Sequence, residues 1–249
     1  MQHVWIPYCG AAPVPAELLG RWNFDPPLLA ALIAAPLLYL RLMPERCRET
    51  STAFGAAWLL SLVLFVSPFC ALTSALFSAR VVHHLLLTIV LAPLLALAVP
   101  KARVPGPLAA WTALQAVVFW FWHAPGAYAA ALSNVALYWL MQASLTAVAA
   151  GFWVAIRRSP VPAAIAALLA TMVQMGLLGA LITFAGVALY APHFASTQAW
   201  GLSPLEDQQL AGLIMWVPGA GLYLGAAVLL AWRWLVRAEL AASELASRA

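Results

Sequence analysis

Val81-Val82-His83-His84-Leu85-Leu86-Leu87-Thr88-Ile89-Val90-Leu91-Ala92-Pro93-Leu94-Leu95-Ala96-Leu97-Ala98-Val99 runs for nineteen residues without an acidic, lysine or arginine side chain. A helix of that length is about 28 Å long, close to the roughly 30 Å hydrocarbon thickness of a bilayer. Further apolar runs flank it at 27–43, 53–77, 107–123, 135–156, 161–190 and 208–234. A backbone in lipid must satisfy its own hydrogen bonds, so the fold class is all-α: a polytopic membrane bundle of about seven transmembrane helices. Composition agrees, with 65% hydrophobic and 8% charged residues, against about 25% charged in soluble domains. The chain divides into an outer N-terminal tail (1–26), the transmembrane bundle (27–236) and a cytoplasmic C-terminal tail (237–249). Short connections and the lack of any repeat or linker make the bundle one unit.

Orientation follows from the basic residues, which concentrate in cytoplasmic loops. Arg41, Arg46, Arg48, Lys101, Arg103, Arg157, Arg158, Arg233, Arg237 and Arg248 fall on one side, and Arg21 and Arg80 on the other, ten against two. The N-terminus is therefore expected outside and the C-terminus inside, which requires an odd number of crossings. The basic residues form no stripe, so nucleic acid is not an expected partner. The first 25 residues lack the zones of a cleavable signal and are expected to stay attached. Cys9, Cys47 and Cys70 show no CxxC, CxxCH or disulfide-framework spacing.

This topology places His3, His83, His84, His123 and His193 on the outer side, with Asp25, Glu206, Asp207, Cys9 and Cys70. His83 and His84 are about 100° apart on a helix, so only one can face the bundle axis squarely. His84 and His123 lie at the outer ends of consecutive antiparallel spans and could meet at similar depth. Imidazole suits copper, zinc or iron; the same residues could instead hydrogen-bond neighbouring helices or sit hydrated among headgroups. For His3 and His193 that second reading leads.

Trp200 to Gly219 holds the strongest local pattern. Ser203 reads as an N-cap, with Pro204 at the first helical position and Glu206 completing a capping box. Asp207, Ala211 and Met215 then share one helix face. A carboxylate above a thioether could belong to a copper path, although packing is the commoner use of Met. Walker, GxGxxG, HExxH and GxSxG motifs are absent, and the mid-membrane runs lack the ionisable residues of ion-coupled transport. An enzyme is not expected.

Trp22-Asn23-Phe24-Asp25-Pro26, Ser67-Pro68, Phe77-Ser78-Ala79, His84-Leu85-Leu86-Leu87, Trp122-His123-Ala124-Pro125, Phe152-Trp153 and, most closely, Trp200 to Gly219 resemble the seven-helix CtaG family of bacterial cytochrome c oxidase assembly factors. The resemblance implies a multi-pass protein of the bacterial inner membrane that helps mature an oxidase, with oxidase subunits as partners and copper as the cargo or cofactor, received in one scheme from a copper chaperone. Its implied metal residues are His84 and His123, then His83 and Met141, with Asp207 as ligand or as a residue orienting an imidazole. The chain departs from the family pattern in two places. Arg80-Val81-Val82-His83-His84 stands where the family has His-Met-x-x-His, and Met141-Gln142 where it has Glu-His. Two other readings stay open: a metal-free scaffold or accessory subunit of the oxidase, and a membrane electron carrier with haem between His84 and His123.

Overall fold

A computed structural model describes residue 5 and residues 7–246, about 80% helical and without strands among the described residues. His3 lies outside them. Helix α1 (Pro26–Leu42) starts at Asp25, whose carboxylate accepts from the Leu28 N–H, with proline at the first positions where no donor is needed. Helix α2 (Arg48–Phe65) is followed by α3 (Pro68–Ala75), bent from it by 50°. The continuous span expected at 53–77 is thus broken. Ser67 Oγ caps Phe69 N, and Pro68 has no N–H with which to continue α2.

Helix α4 (Phe77–Ala98) carries a π turn at Leu86–Leu91. Helix α5 (Leu108–His123) and the short α6 (Pro125–Ser133) precede α7 (Val135–Arg158), which Asn134 caps. Helix α6 occupies what the sequence suggested was a plain connection. Helix α8 (Val161–Thr183) ends short of the expected residue 190. The chain then passes through two 3-10 turns, Ala191–His193 and Thr197–Trp200, before α9, which runs through Pro204–Ile214, a second π turn at Met215–Gly219 and Ala220–Ala246. The predicted helix start holds: Ser203 and Glu206 bond reciprocally to each other's backbone N–H.

Among the described residues, four stretches are long and apolar enough to cross a membrane: Phe77–Ala98, Val135–Arg158, Val161–Thr183 and Pro204–Ala241; the bent α2–α3 pair makes a fifth. Helices α1 and α5, with 17 and 16 residues, are shorter. The outward surface carries Leu, Val, Trp and Phe along α1, α8 and α9, as expected of a membrane protein. Helices α8 and α9 touch backbone to backbone. A Cβ on Gly179 would lie 2.8 Å from both the Gly212 carbonyl oxygen and Trp216 N, a small-residue contact of the kind that packs helices in lipid.

Two sequence expectations change here. Cys9 and Cys70 form a disulfide across 61 residues of sequence, brought together by topology rather than by any local spacing. Arg80, counted among outer topology signals, is fully buried inside the bundle and marks no loop.

Candidate functional site

The polar layer begins with the first turn of α4. Asp207, in the first turn of α9, accepts from Phe77 N at 2.6 Å, Ser78 N at 3.2 Å and Ser78 Oγ at 2.5 Å. A carboxylate is thereby buried against the positive end of a helix, where its charge and both oxygens are satisfied. Asp207, Ala211 and Met215 are all fully buried, as their shared face predicts. Asp207 therefore fixes α4, and with it the histidines further along that helix.

One turn beyond Phe77, Arg80 lies 5.4 Å from the centroid of the Tyr138 ring. The Tyr128 and Tyr138 hydroxyls interact with it, yet none of its three guanidinium nitrogens reaches hydrogen-bond geometry with a described protein acceptor. A desolvated cation–π contact contributes about 2 kcal/mol, while taking an ion out of water costs several. The ring face alone does not compensate this charge.

One turn deeper, His84 Nδ1 and His123 Nε2 stand 3.3 Å apart with their rings perpendicular. His123 Nδ1 lies 2.7 Å from the Phe119 carbonyl, so it is the protonated nitrogen, and Nε2 presents a lone pair to His84. His84 Nε2 has no described partner. The His123 carbonyl accepts from Tyr190 OH at 2.8 Å, which holds the end of α5 in place.

His83 points elsewhere. Its ring packs edge-on to Phe65 at 5.2 Å and against Phe69 at 6.0 Å, and it leans toward the Leu64 carbonyl without forming a good hydrogen bond. Met141 is buried on α7 in the core that also contains Leu85 and Trp122. Gln142 follows it, one turn past Tyr138, with neither amide atom partnered. His193 accepts or donates at 2.6 Å to Tyr128 OH. Burial, reinforced by the Arg80 charge, pushes its pKa down to about 3, so it is neutral at ordinary pH.

The N-terminal segment covers this layer. Cys9 Sγ is 3.7 Å from Tyr138 OH, and the Tyr8 ring stacks on Tyr138 at 4.9 Å while its hydroxyl donates to Asp25. Of the residues selected from sequence, the structure brings His84 and His123 together, turns His83 toward α2 and α3, and engages Asp207 as a helix cap. Sequence reasoning missed Arg80 and Tyr138 as one buried pair. The available signal was a charged residue beside a long apolar run; its position between two runs made it read as a loop.

The imidazole pair fits a transition-metal ion in part. With metal–nitrogen bonds of about 2.0 Å, a 3.3 Å separation corresponds to a roughly tetrahedral angle, and the Phe119 carbonyl orients one ligand as metal sites require. No group of three His, Cys, Asp or Glu converges among the described residues, so a further ligand would have to be a thioether or water.

Apolar spans around an enclosed polar layer define a polytopic helical membrane protein. The model of the cytochrome c oxidase caa3 assembly factor family (Caa3_CtaG) matches residues 103–237, more than half the chain. The chain belongs to that family, whose role is oxidase assembly. His123, Met141 and Asp207 fall within the matched stretch, and His83 and His84 precede it. No curated protein and no solved structure matches the chain.

Proposed function

We propose that this protein assists maturation of a cytochrome c oxidase by holding copper between His84 and His123 near the outer face of the bacterial cytoplasmic membrane and passing it on. The carrying observation is the pair of imidazole nitrogens 3.3 Å apart, one fixed as a lone pair by the Phe119 carbonyl. Met141 is the third ligand in this reading, since thioether sulfur favours Cu(I). His83 and Asp207 act indirectly, through the packing and capping of α4. The oxidase is the partner, and a copper chaperone is a fitting donor. No turnover is involved.

The same reading has seven crossings, with the N-terminus outside. Two features support that orientation. The described cationic side chains of Arg41, Arg46, Arg48, Lys101, Arg157 and Arg158 gather at the end of the bundle that also carries Cys47, a free and exposed thiol. The opposite end carries the Cys9–Cys70 disulfide. Disulfides persist outside and thiols inside, which agrees with the distribution of positive charge.

A metal-free scaffold is the second reading. The uncompensated Arg80 cation, within electrostatic reach of His84, and the lack of a third His, Cys or acidic ligand among the described residues favour it. The haem reading is weakened by the spacing, because imidazoles on opposite faces of an iron would lie about 4 Å apart at bonds of about 2.0 Å. The deciding measurement is Cu(I) stoichiometry and affinity of the purified protein beside its His84→Ala/His123→Ala variant. One equivalent bound by the parent and lost in the variant sustains the copper reading. A folded parent that binds none transfers the function to the scaffold.

A further inference from the structure

We propose that Arg80 is the centre of a binding site for a compact monovalent anion, chloride or a small carboxylate. The argument is independent of the copper reading. Arg80 is fully buried and permanently protonated, and its Nε, Nη1 and Nη2 all lack a hydrogen-bond partner among the described residues.

Among the described residues no carboxylate forms an ion pair with Arg80. Glu17 faces Arg21, Glu45 pairs with Lys101, Glu206 closes the Ser203 capping box, Asp25 receives Tyr8 OH and Leu28 N, and Asp207 caps α4. Glu49 lies in the first turn of α2, and Glu239 and Glu244 in the last turns of α9, away from this layer. The charge therefore calls for a partner from outside the chain.

The neighbouring groups suit an anion. His83, one turn along α4 with its ring toward Phe65 and Phe69, is buried within electrostatic reach of Arg80 and leaves both ring nitrogens unpartnered. It can offer an N–H and carries no negative charge. The Tyr138 hydroxyl lies beside the guanidinium, while that of Tyr128 is engaged with His193. Arg80 brings one positive charge, and the Asp207 carboxylate already lies one turn away on the Phe77 and Ser78 amides, so divalent sulfate or phosphate would leave a negative surplus in apolar surroundings. The covering Tyr8 and Cys9 segment restricts the site to small ions.

The test follows the thermal unfolding of the purified full chain at fixed ionic strength, with gluconate replaced stepwise by chloride or, separately, by formate. At a hundredfold excess over Kd, Tm rises on the order of 5 °C. A rise with chloride alone assigns a halide site, and a rise with formate assigns carboxylate recognition. Arg80→Met abolishes the dependence, and Arg80→Lys, which keeps the charge, retains part of it. Should Arg80→Met fail to fold, saturable broadening of the chloride-35 resonance by the parent protein supplies the same answer. Identical Tm values in all three anions together with an unbroadened resonance, or an anion dependence that survives in folded Arg80→Met, would overturn the proposal.

Discussion

Asp207 and His193 show how a side chain of ligand type acquires a structural role. Asp207 accepts three hydrogen bonds from Phe77 and Ser78. Asp207→Ala is therefore expected to destabilise the protein by about 1–3 kcal/mol, seen as a lower Tm, while under the proposed copper reading Asp207→Asn retains the Cu(I) affinity of the parent within about twofold. A tenfold loss in Asp207→Asn would make the carboxylate a ligand instead. For His193, with a folded pKa of about 3 against an unfolded value of about 6.5, the unfolded chain binds more protons between those values. Stability from this residue is present above pH 6.5 and declines as pH falls toward 3. His193→Gln should flatten the melting profile between pH 7 and pH 4, measured as Tm at each pH. His84 and His123 were legible as neighbours because helix ends and antiparallel connectivity fix depth. The choice of His84 over His83 was not, because a 100° step alone does not say which ring faces α5. Arg80 was read as a loop charge, and only the packing of α7 and the N-terminal segment reveals its burial.

Helices α8 and α9 depend on the absence of side chains at their crossing. Without a hydrophobic force between helices in lipid, close backbone approach provides the attraction. Gly179→Val or Gly212→Val is expected to cost about 1–3 kcal/mol or more through overpacking, while Gly221→Ala, where an added Cβ meets nothing within 4 Å, should leave Tm unchanged; comparison of the three melts checks this. The second π turn, Met215–Gly219, approaches the residue just before the first, Leu86–Leu91: a Cβ on Gly219 would come within 3.1 Å of Leu85 and 3.2 Å of Met175. Each turn adds one residue to its helix and shifts the faces that follow. Such a shift leaves no trace in an apolar run, which is why spans were legible and their registers were not. The α2–α3 bend did leave a trace, since Ser67-Pro68 is a cap followed by a helix start. Apolar continuity on both sides concealed it.

Across the whole molecule, charge and sulfur chemistry divide the bundle into two ends. Thr50 hydrogen-bonds Cys47 and lowers the thiol pKa, which leaves an exposed and reactive probe. In inside-out vesicles a membrane-impermeant maleimide is expected to label Cys47 readily, and in right-side-out vesicles only after permeabilisation. The reverse pattern would invert the proposed orientation. The charge distribution made this polarity readable before any coordinates, because loop charge is a property of composition. The disulfide depends on which distant segments the fold brings together.

That disulfide bears on α1 in particular. Leu28 and Tyr39 are the buried side chains of α1, and most of its surface is exposed; it is held by the Trp58 to Leu32 and Tyr39 to Ala98 hydrogen bonds, the Tyr39–Phe54 stack and the Asn23 bonds to Phe65 and Val66 just before it. The Cys9–Cys70 bond moors the segment leading into α1 to α3. Asn23 ties the start of α1 to Phe65 and Val66 whatever the state of the sulfurs, so reduction would slacken chiefly the Tyr8 and Cys9 segment that lies over Tyr138. In a newly made chain the cover over the polar layer is then expected to close firmly only once Cys9 and Cys70 are joined.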